Sequence, residues 1–480
     1  MTTPNPWAIA ADILDPRPDP YADDPVGWAK AKLDAFLWSK QIEVAESVRD
    51  HRYTAVHSAH DMGKSFAAAT IAAWWIDSHP PGEAFVVSTA PTFPQVEAIL
   101  WREIGRAHRK GNLVGRVNLT DWYIGPEKVG FGRKPADTDP AAFQGIHAKY
   151  VLVVIDEACG VPKTIFDAAD ALVTNEHSRM LAIGNPDDPT SHFATVCKPG
   201  SGWNVIHIDG LASPNFTDEP VPDELRPLLL SPTWVEERAQ RWGETSPLYT
   251  AKVRGIFPED TGHGVVRLSA MSRCREPREW APDDLLPVSL GVDVGAGGDY
   301  TSIRERRGVK AGRVWRDHSD DWAAVVGKVI LAIRETGATR VKIDVGGIGW
   351  GVVGRLKELA GDQHHAEIVP VNFGAAAWDR HTFPRLRDQL WWEIGRELSE
   401  NGAVDLSEME DADDTIAQLI APQWKPDSAG RIKVEQKHET RKRLGRSPDD
   451  ADAYLLAFFE PPPDIDEIVT DRDEYVISPV

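Results

Sequence analysis

Short, nearly unbroken apolar runs punctuate this chain, with longer stretches of helical rhythm between them. Tyr53-Thr54-Ala55-Val56, Phe85-Val86-Val87, Val151-Leu152-Val153-Val154-Ile155 and Met180-Leu181-Ala182-Ile183 are such runs. Five aliphatics in succession predict a strand buried on both faces, as in a parallel sheet. Helical periodicity is predicted over 28–49, 66–76, 95–107 and 233–242. Strands alternating with helices over residues 50–210 predict a parallel α/β domain. A second such series starts near residue 287. Val288-Ser289-Leu290-Gly291-Val292-Asp293-Val294 reads as a strand, and Gly295-Ala296-Gly297-Gly298-Asp299 as the turn of a hairpin. A helix over 321–336, strands over 340–345 and 367–371, a helix over 383–401 and a last helix from Asp449 follow. The expected divisions are an arm and lead-in helix (1–45), a core (46–212), a helical extension (213–258), a linker rich in Gly and Pro (259–287), the second α/β unit (288–460) and a Pro- and Asp-rich tail (461–480).

Composition narrows the class. With 480 residues, 42% hydrophobic and 26% charged, the chain can bury more than one core. No apolar run approaches the ~18 residues of a membrane helix, so no membrane role is expected. The first residues, Met1-Thr2-Thr3-Pro4-Asn5-Pro6, lack the basic and apolar regions of a signal peptide. Three cysteines (Cys159, Cys197, Cys274), far apart, form neither a disulfide framework nor a zinc pattern. A net charge of −21 argues against a protein that coats nucleic acid. The local exception is the basic run from Lys437 to Arg446. His364-His365 has no spaced ligand partner and reads as surface, and pairs such as Trp74-Trp75 and Trp391-Trp392 as core filling.

Between the first strand and the Ala-rich helix lies Ser58-Ala59-His60-Asp61-Met62-Gly63-Lys64-Ser65. Strand, loop and helix with Gly-Lys-Ser at the helix start form a phosphate cradle. Lys64 would reach the β/γ-phosphates of ATP and Ser65 would hold Mg²⁺. Ser58 stands where the usual first Gly belongs, and Asp61 must point away from the phosphates. About 90 residues on, Asp156 and Glu157 end the aliphatic strand. In open α/β sheets that end faces the ligand. Asp156 suits Mg²⁺, and Glu157 suits activation of the attacking water. The conjunction predicts an ATPase yielding ADP and phosphate.

The second unit carries Asp293 within an apolar strand, Asp344 at the end of another, and Asp449 and Asp452 on the last helix. Three separated carboxylate positions gathered by an α/β fold suit Mg²⁺ or Mn²⁺. Two such ions can clamp the oxygens of a phosphodiester. Asp449 and Asp452, three apart, share one helix face; which of them is the main ligand stays open. Asp299 reads as a turn residue.

The order Gln41, His60 to Ser65, Thr89-Ala90-Pro91-Thr92 with Gln95, Phe143-Gln144-Gly145-Ile146-His147-Ala148, Val154-Ile155-Asp156-Glu157-Ala158 and Gly184-Asn185-Pro186 resembles the large terminase subunits of tailed phages. Gly291 to Asp299 and Ser447 to Ala453 resemble the opening and closing motifs of their ribonuclease H-like nuclease domain. The resemblance covers about residues 40–460. It implies a P-loop NTPase parallel-sheet domain followed by a ribonuclease H-like α/β nuclease domain. It implies that Gln41 contacts adenine and that Gly184, Asn185 and Pro186 couple hydrolysis to movement. Arg441, Lys442, Arg443 and Arg446, beside the acidic cluster, could then bind DNA phosphates. The implied work is ATP-driven movement of double-stranded DNA into a procapsid and metal-dependent cutting of concatemers, in the host cytoplasm. The implied partners are the portal protein, a small terminase subunit and further copies in a ring, a pentamer by resemblance, with a monomer possible in solution. Related loops usually carry Arg where this chain has His57, and Gly at the positions of Ala59 and Asp61. The arginine role would pass to another residue, such as Arg52 or Arg102, or to a neighbouring subunit. The rivals are a cellular ATP-dependent helicase or nuclease, for which 213–287 is too short to form a second motor domain, and a catalytically decayed scaffold.

Overall fold

The computed structural model describes residues 19–80, 82–134, 143, 146–259, 262–276, 286–295, 299–319, 321–346 and 348–461. The arm to residue 18, Gln144, Gly145, the turn residues Ala296 to Gly298 and the tail from 462 lie outside them. The chain divides into two units, Met1–Asp260 and Thr261–Val480.

The first unit is built on eight strands: β1 (Tyr53–Ser58), β2 (Ala84–Thr89), β3 (Arg116–Asn118), β4 (Asp121–Ile124), β5 (Glu127–Gly132), β6 (Tyr150–Asp156), β7 (Arg179–Gly184) and β8 (Asn204–Ile208). Their order is β3-β4-β5-β2-β6-β7-β1-β8, parallel from β5 to β8. This is a P-loop NTPase core, with an antiparallel flap of β3 and β4. β6 is buried along Val151 to Asp156, as its aliphatic run predicts. The helix Lys64–Asp77 buries ten residues from Ala67 to Ile76. Five are alanines, whose small side chains let the helix lie close to the sheet. Two helices, Pro25–Leu33 and Ser39–Asp50, replace the single one expected over 28–49. The break comes at Asp34, in the left-handed conformation that stops a helix.

The second unit has the sheet β11-β10-β9-β12-β13, from β9 (Val288–Asp293), β10 (Thr301–Arg307), β11 (Lys310–Asp317), β12 (Arg340–Asp344) and β13 (Glu367–Val371). β9, β10 and β11 are antiparallel neighbours, while β9, β12 and β13 run parallel. This is the ribonuclease H-like arrangement. The helix Asp449–Phe458 is buried along its whole length. A Cβ on Gly291 would lie 2.1 Å from the Ala453 carbonyl oxygen and 2.2 Å from the Ala457 nitrogen. Only glycine admits that helix so close to β9. Gly291→Val is therefore expected to cost about 2–3 kcal/mol by overpacking, measured as a fall in thermal midpoint. An unchanged midpoint would contradict this packing.

Two expectations change here. The 259–287 stretch, read as a linker, carries the helix Leu268–Cys274, whose Leu268, Met271 and Cys274 are buried in the second unit. His364, read as surface, is buried with Nε2 against the Leu356 carbonyl at 2.9 Å, while His365 is exposed. No helix among the described residues is long and apolar enough to cross a membrane.

Candidate functional site

In the first unit, β7 lies between β1 and β6, so three strand ends meet at one edge. β1 delivers the loop, β6 the acids and β7 the Gly184-Asn185-Pro186 segment. Gly184 is needed there: a Cβ would come 2.9 Å from the Ala158 nitrogen. Asn185 is buried, and its Nδ2 donates to the Ser58 carbonyl at 2.7 Å. The expected coupling segment is thus hydrogen-bonded to the loop itself.

The loop is buried at Ser58, Ala59 and Met62, and half-buried at His60, Gly63, Lys64 and Ser65. Lys64 Nζ donates to the Ala59 carbonyl at 2.8 Å. Burial holds its pKa below the usual lysine range, against the pull of Glu157 and Asp156. Asp61 is exposed, with φ 49°, and Gly63 has φ 75°. Left-handed backbone suits Gly at no cost and Asp at a modest one. Exposure keeps the Asp61 carboxylate out of the buried part of the loop. Gln41 is buried, and its Nε2 donates to the Gly63 carbonyl at 3.2 Å. Asp156 is pushed up to about 7, first by burial and then by Glu157. Its Oδ1 accepts the Glu157 N–H at 3.0 Å, and its Oδ2 has no hydrogen-bond partner. Glu157 itself sits at φ 46°, where the chain leaves β6.

The basic residues are placed differently from expectation. His57 does not face the loop: its Nδ1 bonds the Gly255 carbonyl at 2.7 Å and its ring stacks on His207. Arg52 precedes β1, at the strand end away from the loop, and its guanidinium donates to the Val173 carbonyl. Arg102 is mostly exposed beside Glu103. The cation that does meet the loop is Lys252, from the helix Pro247–Lys252. Its Nζ is 2.8 Å from His60 Nε2. No spacing in the sequence signals it, because the approach is tertiary.

In the second unit, one ammonium gathers the acids. Lys437 Nζ lies 2.9 Å from Asp293 Oδ2, 3.1 Å from Asp449 Oδ1 and 3.0 Å from Asp452 Oδ2. Asp344 is close enough to raise the Asp293 pKa, though it makes no ion pair with Lys437 among the described contacts. Burial, the largest cause, raises Asp293 and Asp449; the Lys437 charge opposes it. Asp449 Oδ2 and Asp452 Oδ1 have no hydrogen-bond partner. Orphaned buried carboxylate oxygens are costly, and a hard divalent ion satisfies them. The donor set therefore fits Mg²⁺ or Mn²⁺, though no ready-made cage of three His, Cys, Asp or Glu side chains exists among the described residues. Asp450 is different. It accepts from Tyr300, Ser302 and Gln418 and pairs with Arg316; burial would raise its pKa, but Arg316, with Ser302 and Arg304, outweighs burial and brings it to about 2. It anchors the helix and leaves Asp449 and Asp452 to face Lys437.

Lys437 opens the basic run, and sequence alone groups it with solvated charge. The other basic residues are partly engaged. Arg441 pairs with Asp299 at 3.1 Å, which makes Asp299 more than a turn residue. Arg443 donates to the Ala421 carbonyl and to Glu435, and Arg446 to the Asp414 carbonyl. Lys442 is exposed.

Removing Lys437 leaves three buried acids to repel one another. Because the lysine side chain is 38% exposed, Lys437→Met is expected to cost only about 1–2 kcal/mol without divalent ions. Mn²⁺ should restore the loss, read as melting curves with Mn²⁺ and with EDTA. Equal melting of variant and parent under EDTA would discount the cluster.

No protein-family model matches the chain. A probable terminase large subunit of Enterobacteria phage P7 is 24% identical over 513 residues, spanning 98% of this chain and 93% of the relative. The large terminase of a thermophilic bacteriophage, in complex with ADP, covers 88% of this chain and 99% of its own, at 12% identity and a TM-score of 0.41. The nuclease domain of the large terminase subunit gp2 of bacterial virus Sf6 covers 41% of this chain and 99% of its own, at 17% identity and a TM-score of 0.35. With a relative that matches along 98% of its length, through both units, this chain is similar to the large terminase subunits of phages.

Proposed function

We propose that this chain is a DNA-packaging motor and nuclease. Its first unit hydrolyses ATP to drive double-stranded viral DNA into a procapsid, and its second cuts concatemeric DNA to begin and end packaging. The observation that carries the reading is the pairing, in one chain, of a phosphate loop facing the acidic end of β6 with a buried acid cluster on a ribonuclease H-like sheet.

In the motor, Lys64 leaves the Ala59 carbonyl for the β/γ-phosphates, which supply a stronger acceptor. Ser65 and Asp156 would hold the Mg²⁺ that travels with ATP, and the orphaned Asp156 oxygen fits that task. Glu157 orients the attacking water and takes its proton. Gln41, whose Nε2 donates to the Gly63 carbonyl, would turn to adenine when ATP binds. Loss or gain of phosphate contacts at Ser58 to Ser65 passes to Asn185 through its bond to Ser58.

In the nuclease, Asp293, Asp344, Asp449 and Asp452 would hold Mg²⁺ or Mn²⁺. The ions, when bound, activate water and neutralise charge on the cleaved phosphate. Lys437 neutralises the acids and keeps them converged. Lys442, Arg441, Arg443 and Arg446 take up backbone phosphates, giving contacts without sequence preference. The portal, a small subunit that recognises DNA, and other copies of this chain in a ring are the partners this role requires, within the host cytoplasm.

The deciding experiment combines the chain with procapsids, ATP and double-stranded DNA and measures DNA protected from added nuclease. ATP-dependent protection is expected. ATP hydrolysis and cutting without protection would favour a repair nuclease, and absence of both activities a decayed scaffold.

A further inference from the structure

Lys252 ends the helix Pro247–Lys252 and is 6% exposed. Three segments converge on it. Its carbonyl accepts the His60 N–H at 2.8 Å, which docks the phosphate loop on this helix. Its Nζ lies 2.8 Å from His60 Nε2, a nitrogen to which an ammonium can donate. On the other side, Asp187 Oδ2 lies 3.8 Å away, just past Gly184-Asn185-Pro186. Asp187 Oδ1 is buried and has no hydrogen-bond partner. Lys252 is also within electrostatic range of Lys64.

This is an unequal arrangement. A buried ammonium is costly unless fully paired. Among the described residues, Lys252 Nζ meets one imidazole nitrogen at 2.8 Å and one carboxylate oxygen only at 3.8 Å. Two lysines, Lys64 and Lys252, also approach the same loop, where their charges repel. Helix capping does not explain the ammonium, because its hydrogen bond goes to a side chain of the loop. A polyanion on the loop answers all three features: it pairs the ammonium, screens the two lysines from each other and competes with Asp187.

We propose that Lys252 is a phosphate-binding residue of the ATP site, acting in cis, which engages the terminal phosphate and in doing so releases Asp187 after β7. The proposal rests on the ATPase reading above. The terminal phosphate of ATP carries more charge than the Asp187 carboxylate and draws the ammonium from it. ADP, lacking that phosphate, leaves the lysine with Asp187. The segment following β7 is thereby told which nucleotide is bound, through a lysine supplied by the 213–258 extension.

The test uses the full chain and its Lys252→Met, Lys252→Arg and Asp187→Asn variants. Affinities for ADP and for the β,γ-imido analogue of ATP are measured by titration calorimetry, with steady-state kcat and KM for ATP. Lys252→Met should bind the analogue roughly 10- to 100-fold more weakly, as expected for loss of a charge-assisted bond, and change ADP affinity less than about twofold. Its kcat should fall on the order of 100-fold, with partial recovery in Lys252→Arg. Asp187→Asn, which removes the competitor, should tighten the analogue relative to ADP. Equal losses for both nucleotides in Lys252→Met, or an unchanged analogue-to-ADP ratio in Asp187→Asn, would overturn the proposal; the second holds even if Lys252→Met does not fold. Failure of the underlying reading looks different: the parent chain would not turn over ATP, or Lys64→Ala would retain turnover.

Discussion

Lys64→Ala is expected to lower ATP turnover by roughly 100- to 1,000-fold, the usual cost of losing one charged contact to the transition state. Metal-dependent cutting of plasmid DNA should persist. The residue is the first of a helix buried from Ala67 to Ile76, and its ammonium donates to the Ala59 carbonyl within the electrostatic reach of Glu157 and Asp156. Truncation removes charge and leaves the helix intact, since Ala is the best helix former. Glu157→Gln removes the proton acceptor alone and should cost roughly 100- to 10,000-fold in kcat, with ATP still bound. The nuclease is spared because its acids belong to the other compact unit. ATP turnover that survived either change would end the motor assignment.

Asp293→Asn is expected to do the reverse, reducing cutting on the order of 1,000-fold, or several kcal/mol of transition-state stabilisation. ATP turnover should be unchanged. The same substitution has a stability signature. Burial raises the Asp293 pKa against the opposing pull of Lys437, so the fold favours the protonated acid. Such a group carries its full penalty above the folded pKa and none below the unfolded value. Asp293→Asn should therefore melt higher than the parent at about pH 8 without divalent ions, and the gap should close as pH falls below about 4. Function held at the expense of stability is what a buried ligand site implies. Mn²⁺-dependent cutting that persisted, or a gap that widened in acid, would count against the assignment of Asp293. The companion variants Asp449→Asn and Asp452→Asn separate the two helix acids, since both face the same ammonium.

Much of this was legible in the chain. The aliphatic run Val151 to Ile155 could only be a strand buried on both faces, and Asp156-Glu157 could then only lie at its end. Gly63-Lys64-Ser65 had to start a helix. Val292-Asp293-Val294 placed a carboxylate inside an apolar strand, where it needs a cation. Each is a local rule of period, burial or charge. Where local rules were not enough, the reading missed. His57 looked like a loop residue, yet strand alternation turns it to Gly255 and His207. Residues 259–287 looked like a linker because Gly and Pro dominate its ends, while its centre buries a helix. His364 had no spaced ligand partner and looked like surface, yet its ring folds back onto the Leu356 carbonyl of the preceding helix.

Sequence by itself therefore determined the two α/β units, the strand ends that carry the loop and the acids, and the chemistry those residue types allow. Tertiary structure alone decided which cations meet them. Lys437 reaches Asp293 across 144 positions and Lys252 reaches His60 across 192. No periodicity spans such separations. Close backbone packing sets these positions: Gly255 lets the chain just after Lys252 pass the Ala59 backbone, and Gly291 lets the helix that carries Asp449 and Asp452 lie on β9. That closeness is a property of packing, and it fixes where the charges end.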